Sequence, residues 1–431
     1  MFMLMLGTAN GSRKSSQLRL DTAMGHPLLL AGKTQTDYLK VGLTGFEMEK
    51  TGKRTPVNIA IVIDKSGSMS GQKIEKAKEA AIMAIGRLRA DDIISVVTYD
   101  SDVKVLIPAT KVSDKDTIFR RIRKIKADGS TALYGGVKKG AAEVKKFLSD
   151  DRVNRIVLLS DGQANVGPDS PGELGKLGKK LIEKGISVTT VGLGGGYNED
   201  LMTKLAFKSD GNHYFVENAR DLVKCFDKEF GQALAVVAKE IKINIKCAEG
   251  IRPVRLLGRQ GKIDGQNVSV YINQLYSSNE KFVILEVEVP AGWADQAREI
   301  AAVNISYDNM KTQTSDKLSS ELQVKFSDSP AKIEKMANRA VMADVVELIA
   351  VERNEMALEL RDKGQIGQAR QMLITNSSYL RENAVKYDSS KLESYSVDNY
   401  KDSSNLEGEA WNMRRKGMRS QQHSRRTQQQ K

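Results

Sequence analysis

The 431-residue chain carries 67 Lys and Arg against 54 Asp and Glu, a formal net charge of +13, with 40% hydrophobic and 28% charged residues. That length is too great for one ordinary core and argues for two or three globular domains, while the basic excess is either a well-solvated surface with a basic tail or a means of meeting anionic partners. Two cysteines, Cys225 and Cys247, exclude a disulfide scaffold and lack the spacing of a zinc site, and no stretch approaches the ~20 apolar residues of a membrane-spanning helix.

The opening "MFMLMLGTANGS" is apolar and ends in small residues but has no basic leading region; it leaves open whether it is the remainder of a longer signal. Residues 1–34 show no sustained period and are expected to be irregular. In "YLKVGLTGFEME" (38–49) Leu39, Val41 and Leu43 alternate on one face, which predicts one or two strands, and "GKRTP" (52–56) is a turn.

Residues 57–235 then alternate strand and helix. "VNIAIVI", "DIISVVTY", "NRIVLLS", "ISVTTVGLG" and "GNHYFV" are strands, and helices run through "QKIEKAKEAAIMAIGRL", "KDTIFRRIRKI", "ALYGGVKKGAAEVKKFLS", "GELGKLGKKLIEKG", "NEDLMTKLAFKS" and "ARDLVKCFDKEFGQAL". Continuously apolar strands between amphipathic helices imply a doubly wound, mostly parallel sheet covered on both faces. From 236 to 328 the period falls to two, in "KEIKINIKC", "NVSVYINQL", "KFVILEVEVP" and "REIAAVNISYDN", which predicts an antiparallel sandwich. Over 329–388 the helical period returns as one long helix ending at Gly364 and a second through "QIGQARQMLITNSSYLRENAVKY", a helical hairpin. Residues 389–431 are basic and poor in apolar side chains and are expected to be disordered.

In an open α/β sheet, ligands bind beyond the carboxyl ends of the strands, near a topological switch point. The first apolar strand ends "IVIDKSGS", presenting Asp64, Ser66 and Ser68; "ADGSTALYGG" offers Thr131 just before a helix; and "IVLLSDGQAN" ends on Asp161. Two carboxylates and three hydroxyls from three loops suit a hard divalent cation, which takes oxygen ligands and, for Mg2+, about six of them near 2.1 Å. Neutral hydroxyls leave the ion most of its charge and hence an affinity for an incoming anion. "GLGGGY" fails the dinucleotide-binding pattern at its last position, and "GKLGKK" lacks the first glycine and the hydroxyl of a phosphate loop. His26, His213 and His423 are far apart in sequence, and the tail's arginines have no interleaved aromatics for nucleic-acid readout.

The set "DKSGS" (64–68), "GSTAL" (129–133) and "LSDGQAN" (159–165) resembles the metal-ion-dependent adhesion site of von Willebrand factor type A domains, and "VGLGGGYNEDLM" (191–202) is similar to that family's fifth strand and following turn. The resemblance implies that Ser66, Ser68 and Thr131 touch a metal (Mg2+, or else Mn2+ or Ca2+), that Asp64 and Asp161 act mainly through water, and that a ligand carboxylate fills the open position. The flanking strand pair (35–56), sandwich and helical pair resemble bacterial multidomain proteins of this class and, distantly, the heavy chains of inter-alpha-trypsin inhibitor, which implies a type A domain inserted in the sandwich. The expectation is a non-enzymatic, extracytoplasmic binding protein that recognises an acidic group on a protein or polymer. The alternatives are a structural or assembly subunit whose metal is incidental and a metal-dependent hydrolase.

Overall fold

A computed structural model describes residues 17–48, 54–408 and 410–429. The chain opens with β1 (Arg19–Met24), β2 (Leu28–Leu30) and β3 (Gln35–Thr44). The α/β unit follows as β4 (Val57–Asp64), α1 (Gln72–Gly86), β5 (Ile93–Tyr99), β6 (Val103–Lys111), α2 (Lys115–Arg123), α3 (Leu133–Lys145), β7 (Val153–Ser160), α4 (Pro171–Ile182), β8 (Ile186–Leu193), α5 (Glu199–Lys208), β9 (His213–Val216) and α6 (Leu222–Ala233). Its strands lie in the order β6-β5-β4-β7-β8-β9, and β6 alone runs antiparallel to its neighbour. β4, β5, β7 and β8 are buried at every residue. One core joins their alternate side chains to α1, α2 and α6; a second, on the opposite face, joins them to α3, α4 and α5. The chain leaves β4 toward β5 on one side and returns to β7 on the other, so the switch point falls at the carboxyl end of β4.

Beyond α6 come β10 (Val236–Cys247), β11 (Arg252–Leu257), β12 (Gly261–Asp264), β13 (Asn267–Tyr276), β14 (Glu280–Val289), β15 (Ala297–Asn309) and β16 (Thr314–Ser327). They form two sheets, β12-β13-β10-β15-β16-β2 and β1-β3-β14-β11. β3 pairs antiparallel with β14 from Thr44↔Glu280 to Gln35↔Val289, so a strand that precedes the α/β unit completes a sheet built mainly from strands that follow it. Leu39, Val41 and Leu43 meet Ile243, Ile245 and Val303 in the sandwich core. The two units share a buried polar junction. Arg155 of β7 is fully buried and donates to Glu229 of α6 (2.6 Å), to Tyr276 of β13 (2.8 Å) and to Gln274 of the same strand.

Four expectations need correction. Within 1–34, residues 1–16 lie outside the described residues, and 17–34 are not irregular. β1 pairs with β3 and β2 adds to β16, held by buried Leu18, Met24 and Leu29; a three-residue edge strand is too short to show a period. The long helix after 329 is two helices, α7 (Pro330–Met336) and α8 (Arg339–Asp362). Asn338 breaks it, because its N–H donates to Gly25 O (2.8 Å) while its side chain caps Val341 N (3.2 Å). The region 389–431 is not disordered over its described residues: after α9 (Ile366–Tyr387) come α10 (Ser390–Ser403) and α11 (Ala410–Thr427). Hydrogen bonds and ion pairs fix these helices where apolar area is scarce; Asn399 of α10, for example, accepts from Asn354 (2.9 Å) and Asn376 (3.0 Å). Finally, β6, β11, β12 and β16 had no counterpart in the pattern: the first three are edge strands whose alternation proline or charge interrupts, and β16 is polar over its first half. Cys225 and Cys247 are both free and buried.

Candidate metal-binding site

Asp64 is the last residue of β4 and is fully buried. Its Oδ1 accepts the Ser66 N–H (2.9 Å) and its Oδ2 the Ser160 hydroxyl (2.7 Å), so the carboxylate turns the loop back over the strand end. Burial pushes the Asp64 carboxyl above its ordinary range, the bonds from Ser66 and Ser160 pull it down, and the charge of Asp161 adds to the upward push. Ser66 is buried, whereas Ser68 is exposed. Their hydroxyls lie 3.1 Å apart, and Ser68 Oγ donates to Asp161 Oδ1 (2.6 Å). The other oxygen of Asp161 receives the Lys73 ammonium from the first turn of α1 (2.5 Å).

Thr131 closes the group. Its N–H donates to Asn165 Oδ1 (2.8 Å) and its carbonyl accepts Asn165 N–H (3.2 Å), which ties the second loop to the third. Gly162 sits at the centre: a Cβ there would lie 3.1 Å from Thr131 Oγ1, 3.3 Å from Ser68 Oγ and 3.9 Å from Ser66 Oγ. A side chain at 162 would fill the space that the three hydroxyls share. The loops are laced together by backbone bonds, Gly67 N–H to Gly129 O (2.9 Å) and Asp128 N–H to Lys65 O (2.7 Å), and Asp100 at the end of β5 is paired with Lys65. A fourth segment presses on the group: a Cβ at Gly196 would come within 2.4 Å of Asp161 O, and Gln163 donates to Gly196 O (2.7 Å).

All five residues singled out from the sequence thus fall on the three loops at the switch point. The sequence pattern does not single out Ser160, Lys73 or Asn165, and it marks Gly162 only as the partner of Asp161 in an Asp-Gly pair. Ser160 and Gly162 flank Asp161 directly, and Lys73 follows Ser68 at the distance that puts it on the first turn of the next helix, so the signal lay in their neighbours. Among the described residues no three His, Cys, Asp or Glu side chains cluster as a metal would need, so a cation here must rely on hydroxyls with two carboxylates. The donor set fits a hard divalent ion: every donor is oxygen, and Asp161 already accepts a cation, the Lys73 ammonium. His213 and His423, remote in sequence, meet with ring centroids 6.0 Å apart; His213 bonds Thr190 Oγ1 (2.8 Å).

A doubly wound sheet with carboxylate- and hydroxyl-bearing loops at its switch point, inserted between strands of a sandwich, defines the class of the molecule. The profile of the von Willebrand factor type A domain matches residues 58–228, and this segment is such a domain. The chain is similar to an uncharacterized protein, sll0103, of Synechocystis sp., with 35% identity over 178 residues covering 41% of this chain and 42% of that one. It is also similar to inter-alpha-trypsin inhibitor heavy chain H2 of Mus musculus, with 29% identity over 198 residues, 44% of this chain and 21% of the relative. The matched regions thus span less than half the length of these relatives. A von Willebrand factor type A structure from Catenulispora acidiphila superposes with a TM-score of 0.69 at 14% identity, covering 90% of this chain and 91% of that one; the likeness is one of fold across both units. No described helix is long and apolar enough to cross a membrane.

Proposed function

We propose that the protein is a non-enzymatic binding protein that captures an acidic group of a partner through a divalent cation, Mg2+ in the first place, held by Ser66, Ser68 and Thr131 with Asp64 and Asp161 behind them. Type A domains commonly hold a divalent metal at this place and mediate protein–protein contacts. The observation that carries the reading is the convergence of the three hydroxyls on Gly162 beside a buried carboxylate pair. The ion would supply Lewis-acid attraction for a carboxylate, and the exposed edge at Ser68 leaves room for one. A binding role is favoured over a catalytic one because both carboxylates of the group, Asp64 and Asp161, are already engaged by neighbours among the described residues. An extracytoplasmic location is part of the same proposal.

The test is partner capture from the source cell's envelope by the full chain, with Mg2+ or with EDTA, compared with a Ser66→Ala/Ser68→Ala variant. Capture that EDTA and the variant both abolish supports the reading. Retention in both would replace it with the assembly-subunit reading, and metal-dependent turnover in a hydrolase screen would replace it with the enzymatic one.

A further inference from the structure

The chain's positive charge is unevenly used. Between 111 and 126, over the end of β6, α2 and the loop after it, stand Lys111, Lys115, Arg120, Arg121, Arg123, Lys124 and Lys126, against only Asp114 and Asp116. Asp114 is committed as the cap of α2, accepting Thr117 N–H (3.0 Å). None of the seven cations is ion-paired among the described residues; Lys115 donates to Gly86 O (2.8 Å) and Arg120 to Thr117 Oγ1 (2.7 Å). Ile118, Ile122 and Ile125 are buried in the core beneath, which fixes the helix so that Arg120, Arg121, Arg123, Lys124 and Lys126 are exposed. The one aromatic of the stretch, Phe119, packs against that core, so no stacking platform for nucleic-acid bases is presented.

This surface leads straight to the site. Lys126 precedes Thr131 by five residues, which bounds their separation at about 18 Å, and the intervening loop is pinned to the first loop through Asp128 and Gly129. An extended peptide of about ten residues, ~33 Å long, would reach from the hydroxyl group across the end of α2. We infer that the end of β6, α2 and the stretch through Lys126 form a docking track for an Asp/Glu-rich polypeptide segment, one carboxylate of which is taken at the metal site. This rests on the proposed function for its metal end. Carboxylate is a group both ends accept: guanidinium forks grip it in a bidentate manner, and a hard cation takes it as an oxygen ligand.

The experiment measures fluorescence anisotropy of a labelled peptide of about a dozen Asp and Glu residues with the full chain, in Mg2+ and in EDTA, at low and near-physiological salt. The variants are Arg120→Gln/Arg121→Gln/Arg123→Gln/Lys124→Gln and Ser66→Ala/Ser68→Ala; Arg120→Gln/Arg121→Gln serves if the first loses its fold by thermal melt. The expected result is roughly tenfold weaker binding by the charge variant, with a shallower salt dependence. Unchanged affinity in the charge variant overturns the track, even if EDTA weakens binding and the metal reading survives. Loss in the charge variant with no effect of EDTA sustains the track and rejects the metal reading. Tighter, Mg2+-independent binding of polyphosphate or single-stranded DNA than of the peptide overturns the choice of an acidic polypeptide.

Discussion

Helices α2 and α11 are both basic, and they use that charge in opposite ways. α11 carries Arg414, Arg415, Lys416, Arg419, Arg425 and Arg426 with no acid of its own, yet every one is matched from elsewhere. Arg415 meets Glu199, Asp200 and Asp362; Lys416 meets Glu199; Arg419 meets Asp200; and Arg414, Arg425 and Arg426 meet Asp402, Glu347 and Glu355. Its charge is internal cement, joining the helical region to α5 of the type A domain. Among the described residues the cations of α2 form no ion pair, and Arg120, Arg121 and Arg123 are exposed. The difference teaches that a sequence's net charge says little about partners until it is known which cations already have one.

The contrast breaks most sharply at Glu199, whose carboxylate receives buried Lys416 (2.7 Å) as well as Arg415. Glu199→Ala strands buried Lys416 in a low-dielectric seam and takes from Arg415 one of its three acids, leaving Asp200 and Asp362. A buried pair broken on one side costs about 3–5 kcal/mol, so urea denaturation should show a loss of that order, and proteolysis should open the 404–408 connection ahead of the rest. A loss below about 1 kcal/mol would mean that α11 is held by something other than its ion pairs.

Acid should weaken the same docking. His423 of α11 is held down to about 4 by burial and by Arg426 and Arg259, against the upward pull of Gly211 O and Asp210, and His213 faces it, itself held well below its ordinary value by burial. The unfolded chain, with histidine near 6.5, binds more protons between pH 6.5 and 4. This share of stability is therefore complete above 6.5 and is lost as pH falls toward 4, about 3 kcal/mol for His423. Asp402, pushed up to about 6 by burial, and Glu355, also raised by burial, act with the opposite sign in the acid range. The clean measurement is the difference between the parent and His423→Gln: hydrogen-exchange protection factors over 410–427, each referred to the intrinsic rate at its own pH, should fall between pH 7 and 4.5 more in the parent.

α11 also marks where the sequence was least legible. Disorder was inferred from scarce apolar residues, and that scarcity is real: within α11, Trp411 and Met418 are the buried large apolar side chains. Side-chain pairing across hundreds of residues, such as Arg419 with Asp200, leaves no periodic trace. The α/β core was legible because its strands are buried on both faces and its helices on one stripe, so burial alone writes the pattern. The loops bearing Asp64, Thr131 and Asp161 were legible because two strand ends and one helix start carry oxygen-bearing residues at the sheet's switch point. Lys73 and Ser160 were not, since a lysine on a helix and a serine at a strand end are ordinary until the fold sets them against Asp161 and Asp64. The strand in "YLKVGL" was legible from alternation, whereas edge strand β6, with Pro108 in it, was not.

The metal site tests whether a cation that is not covalently part of the chain joins this division. If only the folded loops assemble the ligands, Mg2+ at a hundredfold excess over Kd should raise stability by about 2.7 kcal/mol. Thermal melts of the full chain in Mg2+, Mn2+ and EDTA measure it, and Asp161→Ala should be insensitive to all three. Equal midpoints in the parent would remove the metal from the account.

The smallest effect belongs to α2 itself. If its cations are held for a partner, their removal should leave the fold almost untouched. Arg120, Arg121 and Arg123 lie in the last turn of the helix, where positive charge interacts favourably with the helix dipole by about 0.3–1 kcal/mol. Arg120 and Arg121 repel each other and the cations beside them, which offsets part of that. Arg120→Gln/Arg121→Gln/Arg123→Gln should therefore shift the unfolding free energy by less than about 1 kcal/mol, several-fold less than the single change at Glu199, although it removes three charges instead of one. A loss as large as that at Glu199 would show that α2, like α11, uses its charge to hold the fold together.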